Sequence, residues 1–207
     1  MKTIVCYGDS NTYGYNPENG FRYEYEERWT TILQKELKDS AIVIPEGLNG
    51  RTTSFEDELR PGRNGATYLD PCLHSHGPID LVVLMLGTND CKTIFGASAE
   101  IIGKGIARLL EQINQYADKM KVLVISPIYL GEKVWQDGYD QEFSPESVEV
   151  SKKLEPVYEK VAGKYGKRFM RAADYASPSE ADQEHMDGQS HKILADAIYR
   201  KLEAEIL

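Results

Sequence analysis

The chain has 207 residues, enough for one domain with a sizeable core, and its 41% hydrophobic and 28% charged residues are typical of a globular protein. A formal net charge of −9 argues against nucleic acid or an anionic membrane as a partner, because both bind basic surfaces. No apolar run is long enough to span a bilayer, and the N-terminus leads directly into a predicted strand, so neither a membrane segment nor a secretory signal is expected.

Five apolar runs predict β-strands at Thr3–Tyr7, Ala41–Ile44, Leu81–Leu86, Val122–Ile125 and, more weakly, Arg168–Met170. Stretches with helical apolar spacing alternate with them, at Trp29–Leu37, Ile102–Ile113, Val150–Val161 and Leu194–Leu202. Pro156 lies inside the third stretch, so we expect a kink there or a helix that starts near it. Strands alternating with helices indicate a parallel sheet covered on both faces. The predicted fold is a single α/β domain over residues 1–207, with three α/β/α layers, a five-stranded parallel sheet and flavodoxin-like architecture.

The cysteines indicate a reducing compartment. Cys6, Cys72 and Cys91 are odd in number, widely separated and without a CxxC pair. Reduced thiols are the simplest interpretation of such a set, and they are typical of the cytoplasm. We therefore expect a cytoplasmic protein.

Polar residues follow each of the first three predicted strands. Ser10 comes after the first, residues 46–50 after the second and residues 87–90 after the third. Parallel strands end at a common edge, where open α/β sheets bind ligands, so we expect these segments to meet. Ser10 is a candidate nucleophile, which requires a base, a group that orients the base and donors for an oxyanion. The alternative for Ser10 is a helix N-cap, the commoner role of a serine after a strand.

Gly50 and Asn89 are the candidate oxyanion donors. A loop glycine lets the backbone approach a ligand, so its N–H can face a developing negative charge. The side chain of Asn89 offers two N–H donors, and the backbone N–H of Ser10 is a further donor. Taken singly, Gly50 is better explained as a turn residue and Asn89 as an Asx turn or cap.

The segment near the C-terminus contains two acid–histidine pairs. Asp182 and His185 are three residues apart, close enough in a turn for the carboxylate to orient the imidazole as a general base. Asp187 and His191, four residues apart, are the competing pair. A histidine outside a functional site usually lies at the solvent-exposed surface. This is the alternative to a catalytic role for both His185 and His191.

Two other features are less directly interpretable. The segment Cys72–His76 contains one cysteine and two histidines, but no second ligand cluster stands at a recognisable spacing, so we expect no metal and a helix-capping or surface role. Aromatic residues are frequent in Tyr13–Trp29 and Tyr129–Phe143, which are candidate walls of a pocket or contacts between subunits. Within the first stretch, Trp29 is expected in the core, because it begins a helical apolar face.

Four segments together resemble the sequence blocks of the SGNH hydrolases, also called GDSL esterases and lipases: Gly8–Asn11, Gly50, Gly87–Asp90 and Asp182–His185. Their order and spacing match over nearly the whole chain. The small arylesterase and acyltransferase branch is the most similar, in the segments Gly47–Thr53, Asn64–Leu69 and Asp80–Asp90. Where the family commonly has Asp-Gly-x-His, this chain has Asp-Gln-Glu-His, so the Asp187–His191 pair stays an alternative.

The resemblance implies a serine esterase that needs no metal and no organic cofactor. It makes Ser10 the nucleophile and assigns Asp182 and His185 to the base system. The backbone amides of Ser10 and Gly50 and the side chain of Asn89 would form the oxyanion hole. It favours His185 over His191, because family members commonly place a second histidine or polar residue six positions after the base. The implied substrates are short-chain carboxylic esters, as for arylesterases, with acyl transfer to alcohols as a second route.

Several alternatives remain open at this point. Within the family they are a carbohydrate O-deacetylase and an acyl-thioesterase. Outside the enzymes, the alternative is a nucleotide- or phosphate-binding α/β module, although neither G-x-x-x-x-G-K-[ST] nor a G-x-G-x-x-G after a strand occurs. The expected partners are a small-molecule ester and further copies of the chain, since the related acyltransferases associate into oligomers. Neither nucleic acid nor a membrane is expected.

Overall fold

The computed structural model describes residues 1–118 and 120–205. The strands are β1 (Lys2–Gly8), β2 (Ala41–Gly47), β3 (Leu81–Met85), β4 (Lys121–Ser126) and β5 (Arg168–Arg171). The α-helices are α1 (Ser10–Tyr13), α2 (Trp29–Leu37), α3 (Gly65–His76), α4 (Ala99–Tyr116), α5 (Pro145–Lys164) and α6 (Gly188–Glu205). The strands pair in the order β2-β1-β3-β4-β5, and every pairing is parallel, which confirms the predicted sheet.

Helices cover both faces of this sheet. α2 and α6 pack on one face, and α3, α4 and α5 pack on the other. In β1, Ile4 and Cys6 belong to the first core, whereas Val5 and Tyr7 belong to the second. Because successive side chains point to opposite faces, a strand covered on both sides is a continuous apolar run in sequence. The predicted three-layer α/β/α fold is confirmed, and Trp29 lies in the core as expected.

The edge strand β2 is longer than predicted. Pro45, Glu46 and Gly47 continue the strand, so the expectation that Glu46 and Gly47 lie in the following loop is wrong. Proline donates no N–H to a neighbouring strand, and an edge strand tolerates this. The loop therefore begins at Leu48, whose N–H donates to the carbonyl of Gly8 at 3.2 Å. This bond holds the start of the loop against the end of β1.

The helix α5 begins well before Pro156. Ser144 accepts the N–H of Ser147, and the side chain of Ser147 accepts the N–H of Ser144. This reciprocal capping box starts the helix at Pro145, where the fixed φ of proline suits the first turn. Pro156 lies inside the helix, so the predicted start near it is wrong.

The helix α3 has no counterpart among the predicted elements. Its start is set by Asn64, whose side chain accepts the N–H groups of Ala66 and Thr67. Pro71 interrupts the pattern that predicts a helix, yet Leu69 and Leu73, which flank it, are fully buried. Among the described residues, no helix combines the length and the apolar character needed to cross a membrane.

Candidate active site

Ser10 lies at the carboxyl end of β1, as the first residue of the short helix α1. The N-cap of this helix is Asp9, whose side chain accepts the N–H of Asn11 at 3.0 Å, so Ser10 does not serve as the cap. At the first position of a helix, a backbone N–H has no acceptor within the helix. Both the hydroxyl and the N–H of Ser10 thus stand where the strand ends and the cleft begins.

A continuous chain of hydrogen bonds connects Ser10 to an imidazole and a carboxylate. The Oγ atom of Ser10 lies 2.7 Å from Nε2 of His185. On the far side of the ring, Nδ1 lies 2.5 Å from Oδ2 of Asp182. Since the carboxylate only accepts, Nδ1 carries the proton and Nε2 is left to accept the proton of the serine.

The turn that carries His185 is stabilised by its own residues. Oδ1 of Asp182 accepts the backbone N–H groups of Glu184 and His185, at 3.0 and 2.9 Å. Gln183 adopts a positive φ of 64°, a left-handed backbone conformation that favours glycine. The chain therefore has glutamine in a backbone conformation that favours glycine, at the position where the family's Asp-Gly-x-His pattern has glycine. The carbonyl of Gln183 accepts the N–H of Gly131 at 2.7 Å, which ties this turn to the segment after β4.

Two further contacts join the turn to the serine segment. Oδ1 of Asn11 accepts the N–H of Met186 at 3.0 Å, which links the residue after Ser10 to the residue after His185. The ring of Tyr15 lies against the imidazole of His185, with centroids 4.4 Å apart. The first contact holds the turn against the serine segment, and the second packs an aromatic ring against the imidazole.

The competing pair lies in a different environment. Oδ1 of Asp187 accepts the N–H of Ser190 at 2.7 Å and so caps α6. His191 is fully buried beside Tyr23 and Trp29. Its Nδ1 accepts the backbone N–H of Trp29 at 3.4 Å. Burial lowers the pKa of His191 to about 4, so the ring is neutral in the core. The structure thus brings His185, and not His191, to Ser10.

The charges near His185 favour its protonated form. Burial acts to lower its pKa, but the carboxylates of Glu184 and Asp182 outweigh burial and raise it above the ordinary histidine value. Burial raises the pKa of Glu184. Burial acts in the same direction on Asp182, but the hydrogen bond to His185 and the charge of that ring outweigh it and lower the pKa of Asp182. The group that faces Ser10 is therefore a histidine of increased basicity, with the carboxylate of Asp182 at Nδ1 and that of Glu184 near Nε2.

Gly50 and Asn89 line the same cleft as Ser10. Gly50 has a φ of 79°, which explains a glycine at this position of the loop. The Nδ2 atom of Asn89 donates to the carbonyl of Arg51 at 3.2 Å, so one of its two hydrogens is engaged and the other is available. The three predicted strand-end segments therefore converge as expected.

Arg51 fixes the loop that carries Gly50. Its guanidinium is buried, donates to the carbonyls of Gly8 and Glu46, and lies over the ring of Tyr7 at 4.2 Å. The ends of β1 and β2 and the loop are thereby held by one side chain. The sequence shows Arg51 in a family-like segment but does not indicate these long-range contacts.

The segment that carries Asn89 is fixed in a similar way. The carboxylate of Asp90 accepts the backbone N–H of Thr53 at 3.0 Å and also the hydroxyl of Thr53. Burial raises the pKa of Asp90 to about 7, despite these hydrogen bonds. Asp90 thus connects the turn after β3 to the segment that follows Gly50.

The cleft around Ser10 has a volume of about 590 Å³ and is lined mainly by polar and charged residues. The residues that sequence reasoning did not place there are Arg60, Arg63, Lys92, Gly138, Asp140 and Glu184, whereas Asn49 lies in a predicted strand-end segment and Tyr15 in the first aromatic segment. Lys92 and Arg60 both bind the carboxylate of Glu142, so charged residues from three separate loops meet at the rim. The aromatic segment after β4 contributes Tyr139 to the wall, as that hypothesis suggested, while Trp135 is exposed outside it.

The Cys72–His76 segment lies away from this cleft, on α3. Cys72 is fully buried, whereas His74 is exposed. His76 is partly buried, and its Nε2 lies 2.7 Å from Oε1 of Glu46. A surface role therefore fits His74 but not Cys72.

Comparisons with known proteins agree with this geometry. Residues 6–192 match the GDSL-like Lipase/Acylhydrolase family. A carbohydrate acetylesterase family member from Sinorhizobium meliloti is 35% identical, with a TM-score of 0.93 over 100% of this chain and 99% of the other. The aryl esterase of M. smegmatis is 33% identical, with a TM-score of 0.90 over 99% of both chains. A search of curated proteins gave no match. The chain therefore belongs to the GDSL-like lipase/acylhydrolase family and is a carboxylic ester hydrolase with the SGNH fold.

Proposed function

We propose that this enzyme hydrolyses short-chain carboxylic esters through an acyl-enzyme formed on Ser10. The Oγ atom of Ser10 attacks the acyl carbonyl while its proton passes to Nε2 of His185. His185 then returns the proton to the leaving alkoxide as the tetrahedral intermediate collapses. Water repeats both steps and releases the acid, and an alcohol in place of water gives acyl transfer. Asp182 keeps the proton on Nδ1 and stabilises the imidazolium.

The oxyanion of each tetrahedral intermediate is held by three donors. These are the backbone amides of Ser10 and Gly50 and the side chain of Asn89, which come from three strand ends and line one cleft. Donors that are already in place need no reorganisation when the charge develops, and each such donor typically contributes about 10²–10³ in kcat.

One observation carries this proposal: the unbroken contact from Asp182 through His185 to Ser10, with distances of 2.5 and 2.7 Å. A serine that served only as a cap would not require a buried imidazole on its hydroxyl. The charged residues that line the cleft and its moderate volume favour a small acyl group over a long lipid chain.

Covalent labelling tests the proposal. The protein is treated with a fluorophosphonate, and the modified peptide is sequenced by mass spectrometry. We expect stoichiometric modification of Ser10, together with loss of p-nitrophenyl acetate hydrolysis. Ser10→Ala should not be labelled, whereas Ser54→Ala, on a half-buried serine outside the cleft, should be labelled like the wild type. Labelling of another residue, with activity retained in Ser10→Ala, would remove Ser10 from the mechanism.

A carbohydrate O-acetyl ester is the second candidate substrate. The lining of the cleft includes Asn49, Arg63 and Asp140, which are side chains suited to hydroxyl groups. Hydrolysis of acetylated sugars, p-nitrophenyl acetate and an acyl-thioester, compared by kcat/KM, separates the carbohydrate esterase from the arylesterase and the thioesterase.

Association of the enzyme with itself is also proposed. The aromatic side chains Phe21, Tyr25 and Trp135 are exposed, and aromatic residues are enriched at interfaces between proteins. Light scattering at micromolar concentration should give a mass above that of one chain, and a monomer would contradict this.

We also propose that residues 1–207 form one domain and that the enzyme acts in the cytoplasm.

A further inference from the structure

Three side chains with metal-binding chemistry meet on the α3 side of the sheet. Glu46 is near the end of β2, and Cys72 and His76 lie one helical turn apart on α3. A spacing of four residues places both side chains of α3 on one face of the helix. The carboxylate, thiol and imidazole ligand atoms all lie within 4.8 Å of one another. The sequence offered only the α3 part of this group, and the fold supplies the acid from a segment about 25 residues away.

We propose that Glu46, Cys72 and His76 bind a divalent transition metal of the zinc type, separately from the esterase site. Thiolate, imidazole and carboxylate are the three kinds of side chain that bind Zn²⁺, and thiolate with imidazole discriminates against Mg²⁺ and Ca²⁺. Three protein ligands leave the fourth tetrahedral position to a water molecule.

Metal binding would require the more distant of the ligand atoms, which now lie within 4.8 Å of one another, to approach by up to about 1 Å. With metal–ligand distances of about 2.0–2.3 Å, the ligand atoms of a tetrahedral site lie roughly 3.3–3.8 Å apart. The contact of 2.7 Å between His76 and Glu46 is a hydrogen bond, so a metal would replace its proton and separate the two atoms slightly. The thiol of Cys72 would release its proton as well, so the apparent affinity should fall at low pH.

A second cleft gives the group access to solvent. It has a volume of about 560 Å³ and is lined by residues including Glu46, Arg51, Thr67 and Tyr68. Glu46 therefore faces both the cleft and the two side chains of α3. The described lining residues of this cleft and of the cleft at Ser10 do not overlap.

The charges of the site suit a divalent ion. Once the thiol is deprotonated, Glu46 and Cys72 carry two negative charges opposite the ion, while the buried guanidinium of Arg51, which lines the same cleft, adds a positive charge nearby. His76 contributes a neutral nitrogen. A monovalent cation or a larger, harder ion would not compensate for burying the thiolate.

Cobalt binding to the full-length, chelator-treated and reduced protein tests the site. Co²⁺ reports thiolate coordination by a sulfur-to-cobalt charge-transfer absorption, and native mass spectrometry with Zn²⁺ gives the stoichiometry. We expect one metal per chain and a thiolate band in the wild type. His76→Gln should weaken binding at least about tenfold, and Cys72→Ser should abolish the band. His74→Gln is the matched control, because this exposed histidine on the same helix lies outside the group.

Two results would overturn the proposal. One is a wild type that shows no thiolate band under saturating cobalt, which would leave His76 and Glu46 as a simple hydrogen-bonded pair. The other is equal metal binding by His76→Gln and His74→Gln. If Cys72→Ser does not fold, Glu46→Gln and His76→Gln still decide the question, since neither changes a fully buried residue. Fluorophosphonate labelling of Ser10 reports on the esterase site independently of these outcomes.

Discussion

The carboxylate of Glu184 lies 3.8 Å from Nε2 of His185, the ring nitrogen that faces Ser10. The acid is buried together with the ring, so its charge is poorly screened. Its charge favours a proton on that nitrogen, the proposed acceptor of the serine proton, whereas Asp182 acts on the opposite nitrogen. Glu184 and Asp182 together raise the pKa of His185 against the effect of burial.

The pH profile should reveal this arrangement. His185 must be deprotonated to act as a base, so kcat/KM should rise with pH through a kinetic pKa above the ordinary histidine value of about 6.5. The sequence alone predicts the normal range of about 6 to 7. In Glu184→Gln one charge that favours the imidazolium is removed, so the pKa falls and the acid limb moves to lower pH. Stopped-flow or steady-state rates against pH measure the displacement.

A matched variant isolates the effect of the charge. Glu180 lies in the same segment, but its side chain is exposed, so Glu180→Gln should leave the acid limb in place. Equal profiles for wild type and Glu184→Gln would show that Glu184 does not tune the base.

The two histidines should differ sharply on substitution. His185→Ala should reduce kcat about as severely as Ser10→Ala, on the order of 10⁴–10⁶, because the two residues act as a unit. His191→Ala should keep most of the activity and instead lower stability by roughly 1–3 kcal/mol, since it removes a buried ring from the core. Ester hydrolysis and thermal unfolding measured on both variants give the comparison. The reverse pattern would assign the base to His191.

The two aspartates provide a parallel comparison. Asp182→Asn should be severely impaired, because an amide no longer holds the proton on Nδ1 of His185. Asp187→Asn should be mild, because asparagine caps a helix about as well as aspartate. Single-turnover rates at saturating p-nitrophenyl acetate test both variants. Comparable rates for the two would argue against an orienting role for Asp182.

Removal of the Asn89 side chain should act on the transition state. Asn89→Ala is expected to lower kcat by roughly 10²–10³ with little change in KM, because the donor binds the oxyanion more strongly than the substrate carbonyl. Steady-state kinetics give both constants. A higher KM with unchanged kcat would mean that Asn89 binds the substrate uniformly and would remove it from the oxyanion hole.

The preference for acyl-chain length should be determined by the side chains that line the cleft. Acetate and butyrate esters should be cleaved with higher kcat/KM than palmitate esters, because no aliphatic side chain is among the described residues that line the cleft at Ser10, and a long chain would meet charged groups there. A series of p-nitrophenyl esters tests this, and a maximum at long chains would contradict it.

A glycine far from the cleft should affect both stability and activity. A Cβ at Gly105, in α4, would lie 2.0 Å from the hydroxyl of Thr53, which binds Asp90. Gly105→Ala should therefore destabilise the protein by about 1–3 kcal/mol and disturb the turn of Asn89. Gly163→Ala, in α5, meets nothing within 4 Å and should stabilise it by roughly 0.5–1 kcal/mol. Denaturant melts compare the two, and equal effects would contradict the packing argument.

The sheet could be predicted because its central strands are buried on both faces and stand out as apolar runs. The extension of β2 through Pro45 depends on its place at the edge, which a single sequence does not show. The helix α3 was missed because its proline and its short apolar face resemble a loop.

For the candidate site, Ser10, Gly50 and Asn89 could be located because each follows a strand, and parallel topology brings such segments together. The choice between His185 and His191 could not be derived from spacing, since both follow an aspartate closely. It depends on the packing of His191 against Trp29, which is a contact between distant parts of the chain. Glu184 was not identified, although it directly precedes His185, because its burial is a property of the fold.

The bond between Asn11 and Met186 spans 175 residues of sequence, and so does the contact between Ser10 and His185. During folding, the turn after the first strand can form early, but His185, the proposed base, reaches Ser10 only when the last part of the chain docks. Secondary structure and most of the core can therefore form before the protein gains esterase activity. In a refolding experiment, ester hydrolysis would report the final event, later than the signals of helix formation.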